Sequence, residues 1–221
     1  MLNRLFLLVF LAVGLVFSAN AQVSIGVSAG ANRSFWSWYI KNIETDLEFD
    51  PGIGYRAAAV ADWRISPLVG LRAELGYQVL RSSTGRKFTS PNDPDGAFGH
   101  FNERYHFWTG GLMANVTPFS EKRFYLLTGA SVAKMAEAWN TTSVEGGPEP
   151  FLSTKPIDLT NYNRTQVFAD FGAGLRFPTG EKGALFTEIR YQLALTNLSS
   201  HSNVDSGVNS LGLNVGYLFK L

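Results

Sequence analysis

Along residues 185–195, Leu-Phe-Thr-Glu-Ile-Arg-Tyr-Gln-Leu-Ala-Leu, the odd positions are largely apolar and the even ones carry Glu188, Arg190 and Gln192. A period of two is that of a β-strand with two unlike faces. The same rhythm recurs through the chain. Residues 71–79 place Arg72 and Glu74 on the even side; 53–65 place Arg56, Asp62 and Arg64 there; 167–177 place Asp170 and Arg176 there. Residues 23–30 and 211–221 alternate apolar with small residues, chiefly glycine and serine. Two further segments, 104–117 and 123–139, are apolar on both sides, and their faces stay unassigned. The alternation predicts eight strands near 22–35, 52–65, 68–81, 104–117, 123–139, 164–177, 184–197 and 208–221.

The connections carry as much information as the strands. The second, fourth and sixth are short and rich in breakers: Ser66-Pro67, residues 118–122, and residues 178–183. The first, third, fifth and seventh, at 36–51, 82–103, 140–163 and 198–207, are long. Short turns on one side and long loops on the other belong to outer-membrane barrels, with the short side in the periplasm. An even strand count brings both ends of the barrel to that side. The expected fold is therefore all-β, an eight-stranded antiparallel up-and-down transmembrane barrel over residues 22–221.

The N-terminus supports export. Arg4 precedes an apolar run from Leu5 to Phe17, too short to span a bilayer as a helix. It ends in Ser18-Ala19-Asn20-Ala21, with small residues placed for cleavage before Gln22. Residues 1–21 are read as a cleaved signal peptide. The chain has no cysteine, so neither disulfide staples nor a lipid-modified cysteine is expected. A net charge of +1 argues against a nucleic-acid partner. The expected location is the bacterial outer membrane.

A soluble barrel would show the same parity with its faces reversed. Glycine on the polar face, at positions such as 26, 54, 76, 174 and 216, favours a narrow, crowded interior over an exposed strand surface. Aromatics also gather at strand ends. Trp63, Phe124, Phe177, Phe186 and Phe219 fall at the short turns, and Tyr77, Tyr105, Trp139 and Tyr191 near the long loops, as two interfacial girdles would require.

Residues 25–32, Leu75-Gly76-Tyr77, Phe171-Gly172-Ala173-Gly174-Leu175 and Leu213-Asn214-Val215-Gly216-Tyr217 carry a family likeness. The chain resembles the eight-stranded outer-membrane barrels that include the OmpA transmembrane domain and OmpX, and more closely the PorT-like barrels of Bacteroidota. The resemblance implies the fold and the compartment and leaves the activity open. Some PorT-like members serve secretion or gliding machinery.

The even-side charges Arg56, Asp62, Arg64, Arg72, Glu74, Asp170, Arg176, Glu188 and Arg190 are expected to face inward as an ion-pair network plugging the barrel. A gated ion path, or narrow channel, is the alternative use of the same residues. Asp93, Asp95, His100 and Glu103 in the third connection are oxygen-rich, but their spacing and Pro94 depart from a calcium loop, so no metal site is expected. Ser200-His201-Ser202 with Asp205 supplies the residue types of a lipid-modifying hydrolase in a loop, without strand-borne spacing. The chain is accordingly read as non-enzymatic, with no cofactor. Its expected partners are outer-membrane lipid and lipopolysaccharide and, through the long loops, other envelope proteins. Trp36, Trp38 and Tyr39 in the first loop are read either as girdle or as an exposed anchor for a partner.

Overall fold

A computed structural model describes residues 22–41, 50–90, 93–118, 123–145 and 151–221, without the side chains of 86–97 and 145. The signal segment 1–21 and the turn residues 119–122 lie outside the described residues. Among the described residues there are nine strands: β1 (Gln22–Ile40), β2 (Asp50–Arg64), β3 (Val69–Ser90), β4 (Asp93–Val116), β5 (Phe124–Glu145), β6 (Phe151–Pro156), β7 (Thr165–Pro178), β8 (Gly183–Ala194) and β9 (Val204–Lys220). Among the described residues the one helical element is a 3-10 turn, Leu159–Asn161, capped by Asp158.

Strands β1 to β6 pair antiparallel in succession, as do β7 to β9; β9 returns to β1, and β5 passes over β6 to pair with β7. The ring therefore closes on eight strands, and β6 stands outside it. Closure matters physically because backbone N–H and C=O groups have no water to bond with in hydrocarbon. The short turns are held locally. Ser66 Oγ accepts from Leu68 N and Val69 N (3.3 and 3.0 Å), and Gly180 adopts φ 74°, which only glycine reaches without strain.

The faces settle the choice between soluble and membrane barrels. Leu75, Trp108 and Val27 face outward at 73%, 63% and 60% exposure, while Arg72 and Glu188 face inward at 0% and 2%. A soluble protein would not leave a continuous apolar wall in water around a charged core.

The long-loop side differs from expectation. The third connection, read as loop over 82–103, is a hairpin: β3 and β4 stay in register from Ser82↔Glu103 to Lys87↔Phe98. Its glycines and serines weaken the strand pattern, yet backbone pairing continues past Ser82, Ser83, Gly85 and Gly99. The fifth connection likewise extends β5 and folds β6 back on it, Trp139↔Pro156 to Val144↔Phe151. The outer halves of β3, β4, β5 and β6 thus form a four-stranded sheet continuing beyond the ring.

Candidate functional site in the lumen

Even positions of β2, β3, β7 and β8 converge because registers align them across the narrow ring. Arg176 Nη2 donates to Asp62 Oδ2 (2.5 Å), and Arg72 Nη2 donates to the same oxygen (3.0 Å). Arg72 Nη1 reaches Glu188 Oε2 (2.7 Å), which also accepts from Tyr125 Oη (3.0 Å). Arg190 bridges Glu188 and Glu74, the latter through two bonds of 2.7 and 2.8 Å, and Arg56 donates to Glu74 at 2.7 Å. The result is an alternating chain, Arg176–Asp62–Arg72–Glu188–Arg190–Glu74–Arg56, running up the lumen from the short-turn end. Alternation lets each carboxylate meet two or more cations, which offsets the large desolvation cost of burying either sign.

Arg72 is held face to face as well as edge to edge. Its guanidinium lies 5.2 Å from the Tyr125 ring centroid and 4.9 Å from that of Phe186. Two inward glycines make room for these rings. A Cβ at Gly174 would stand 2.5 Å from Tyr125 Cζ, and one at Gly216 would strike the Phe186 ring.

Above the ion pairs a carboxylate meets neutral partners. Asp170 accepts from Ser131 Oγ (2.6 Å) and Gln192 Nε2 (2.9 Å), and Gln78 donates to Gln192 Oε1 (2.9 Å). The void bounded by Asn32, Arg56, Gln78 and Arg190 measures about 10 Å³, the lower limit for a single water.

The far end is closed by an apolar cap. Trp36, Leu80, Tyr105, Phe107, Met135 and Phe168 pack together inside the ring, with Trp38, Leu159 and Tyr162 against them. Trp36 and Tyr105 stack at 4.7 Å, and Trp36 Nε1 donates to the Arg81 carbonyl (2.9 Å). Burial beside this cap pushes the Tyr162 phenol above its ordinary pKa.

A charged, ion-paired lumen inside an apolar closed ring is the architecture of a membrane barrel, and the sequence matches the outer membrane protein beta-barrel domain family over residues 17–200. The chain belongs to that family. No curated protein matches it by sequence. Among solved structures, this outer-membrane barrel is similar to Neisserial surface protein A at 16% identity, with 91% of this chain and 99% of that one covered and a TM-score of 0.48. It is similar to Ail of Yersinia pestis, solved with the heparin analogue sucrose octasulfate, at 12% identity, 90% and 99% coverage and a TM-score of 0.37. It is also similar to the outer membrane protease OmpT of Escherichia coli at 10% identity, 91% and 96% coverage and a TM-score of 0.43. These are likenesses of shape.

The barrel treats the nine expected interior charges unequally. Seven join the chain of ion pairs. Asp170 is buried in the next layer with neutral partners, and Arg64 sits half-buried at the short-turn mouth beside Asp62 with no ion pair among the described residues. Sequence reasoning missed Tyr125 and Phe186. Phe186 was expected in the girdle but is 0% exposed inside, and Tyr105 likewise points inward. The aromatic cluster in the first connection also requires correction. Residues 36–40 continue β1, paired with β9 from Trp36↔Val208 to Ile40↔Val204, so parity splits them. Trp36 and Trp38 turn into the cap, and Tyr39 alone faces out. Neither girdle nor exposed anchor describes the two tryptophans.

The remaining candidates do not assemble. The His201 ring forms no hydrogen bond with Ser200, Ser202 or Asp205 among the described residues. Asp205 instead faces Lys41 (3.9 Å) and accepts from Asn197 Nδ2 (3.4 Å). In the third connection, Glu103 points into the lumen, where it accepts from Tyr105 Oη (2.7 Å), while His100 packs on Phe98. The side chains of Asp93 and Asp95 lie outside the described residues, and no group of metal-binding side chains occurs among those described.

Proposed function

We propose that this barrel is a non-enzymatic surface-structural or interaction protein, an accessory subunit of an envelope complex for secretion or assembly. In this reading residues 1–21 are removed as a signal peptide and the hairpin end faces outward from the cell. The PorT-like resemblance agrees with such a role. The observation that carries the reading is the four-stranded sheet beyond the ring. Its last strand, β6, pairs with β5 alone among the described residues, and it leaves Phe151 and Leu152 at 55% and 73% exposure. An open edge with apolar side chains is a template for strand addition by another protein. The closed lumen supports the same reading, since nothing the size of a solute passes between the ion pairs and the cap.

The test is purification of the tagged barrel from native membranes, beside a Leu152→Pro variant that blocks pairing along β6. A stoichiometric envelope partner is expected with the wild type and lost in the variant, while both keep heat-modifiable migration on gels. Wild-type barrel recovered from native membranes without any partner would overturn the proposal.

A further inference from the structure

The outer wall carries a second feature, remote from β6. Along the middle of β2 the outward positions are Ala57, Ala59 and Ala61, flanked by Ala73 on β3 and Gly110 on β4. Small side chains there leave a furrow between larger ones. Its upper part, about 700 Å³, is bounded by Val27, Leu75, Tyr77 and Trp108. Its lower part, about 440 Å³, shares Val27, Ala59 and Leu75 and descends to Ile25 and Phe219 near the short-turn end. The furrow is therefore continuous over much of the apolar band, and its walls are almost wholly hydrocarbon.

What stands above it is not. Tyr77 Oη and His106 Nδ1 share a hydrogen bond of 2.6 Å, and Glu137 lies 3.9 Å from the same nitrogen. One pair further up, Arg81 and Arg104 sit directly opposite each other across β3 and β4, on the same outward face. Like charges in cross-strand opposition repel. In the lumen every arginine of the ion-pair chain meets a carboxylate. Outside, neither Arg81 nor Arg104 forms an ion pair among the described residues, and Arg81 Nε is buried without a hydrogen-bond partner. From Tyr77 to Arg81 is four residues, about 13 Å of strand. At that height the apolar band gives way to charge, the level at which lipid headgroups lie.

We propose that this wall binds one phosphorylated lipid of the outer leaflet, its phosphate on Arg81 and Arg104 and an acyl chain in the alanine-floored furrow. The inference rests on membership of the outer-membrane barrel family and is independent of any partner at β6. Charge complementarity selects the headgroup, since paired guanidinium forks match phosphate oxygens and relieve their mutual repulsion. Glu137, held toward His106, leaves the arginine side cationic. The furrow selects the tail, because an acyl chain fills a channel of alanines that no protein side chain occupies.

The mature barrel in a mild detergent, titrated with lipid A and followed by native mass spectrometry, tests this. One lipid A molecule is expected to be retained, about tenfold more tightly than its enzymatically dephosphorylated form, the scale of a lost charge-assisted hydrogen bond. Arg81→Gln with Arg104→Gln should abolish that preference, while Arg33→Gln, on another strand, should leave it intact. Ala57→Leu with Ala59→Leu should fill the furrow and weaken retention of both lipid forms. All variants change the outward face and are checked for heat-modifiable folding. Equal retention by the double-glutamine variant, or undiminished retention with the furrow filled, would overturn the site. Displacement of lipid A by inorganic phosphate at equal concentration would show a bare anion site and overturn it too.

Discussion

Glu188 shows how little freedom a single lumen residue has. It accepts from Arg72, Arg190 and Tyr125 at once, so its loss takes one carboxylate from each of two buried guanidinium groups and leaves the chain with four arginines against two acids. Glu188→Ala is expected to lower stability by about 3–5 kcal/mol, read from urea unfolding in lipid vesicles by tryptophan fluorescence. A change under about 1 kcal/mol would mean that water reaches these charges. Gly174 makes the complementary point about volume. A methyl group there collides with Tyr125, which in turn supports Arg72, so Gly174→Ala should cost about 1–3 kcal/mol by overpacking in the same assay. At this scale the sequence was informative about charge and silent about partners. Parity said that Arg72 and Glu74 face inward. Which carboxylate each arginine meets depends on strand register, and the ladder brings Glu188 rather than Glu74 closest to Arg72 (2.7 against 3.9 Å).

Among the elements, the continuation of β1 past Phe35 has the largest consequence. It converts Trp36 from a loop residue into the centre of the cap, stacked on Tyr105. Trp36→Ala should therefore destabilise by about 3–5 kcal/mol, while Tyr39→Ser, on the outer face, should stay within about 0.5 kcal/mol. Parallel unfolding curves of the two variants check both; equal effects would contradict the split. The cap also has a pH signature through Tyr162. Its folded pKa is raised, so the neutral phenol's contribution is complete below about pH 10 and is lost as pH rises through the folded value. In an alkaline absorbance titration, Tyr162→Phe should remove a phenol that ionises late. The strands whose faces the sequence left open, β4 and β5, supply half of the buried residues of this cap. Tyr105, Phe107 and Met135 make the inner face as apolar as the outer, and a register shift between His106 and Phe107 flips the parity of β5 between Met135 and Ala138. No alternation survives to be read there.

At the level of the whole molecule, a ring of eight strands encloses a bore that side chains fill. Ion pairs occupy the short-turn half, a glutamine and serine layer the middle, and an aromatic cap the hairpin end. Purified barrel in planar bilayers is expected to show no steady porin-like conductance, and large stable openings from folded protein would refute the closed lumen. Closure of the ring should also appear as heat-modifiable migration on gels, because a barrel without free edges opens only on heating.

The eight strands of the ring, the outward and inward faces of six of them, and the alternation of short and long connections between ring strands followed from the chain alone. Each is a local property: hydrophobic period, breakers and spacing act within a few residues. The tertiary structure alone decided the ion-pair partners, the inward turn of Trp36, Tyr105 and Phe186, the hairpin extensions with β6, and the furrow crowned by Arg81 and Arg104. All of these depend on register between strands and on closure of the ring, which bring residues as distant as Arg72 and Glu188 into contact. Period two states which side of a strand a residue takes. Only the completed ring states what stands across from it.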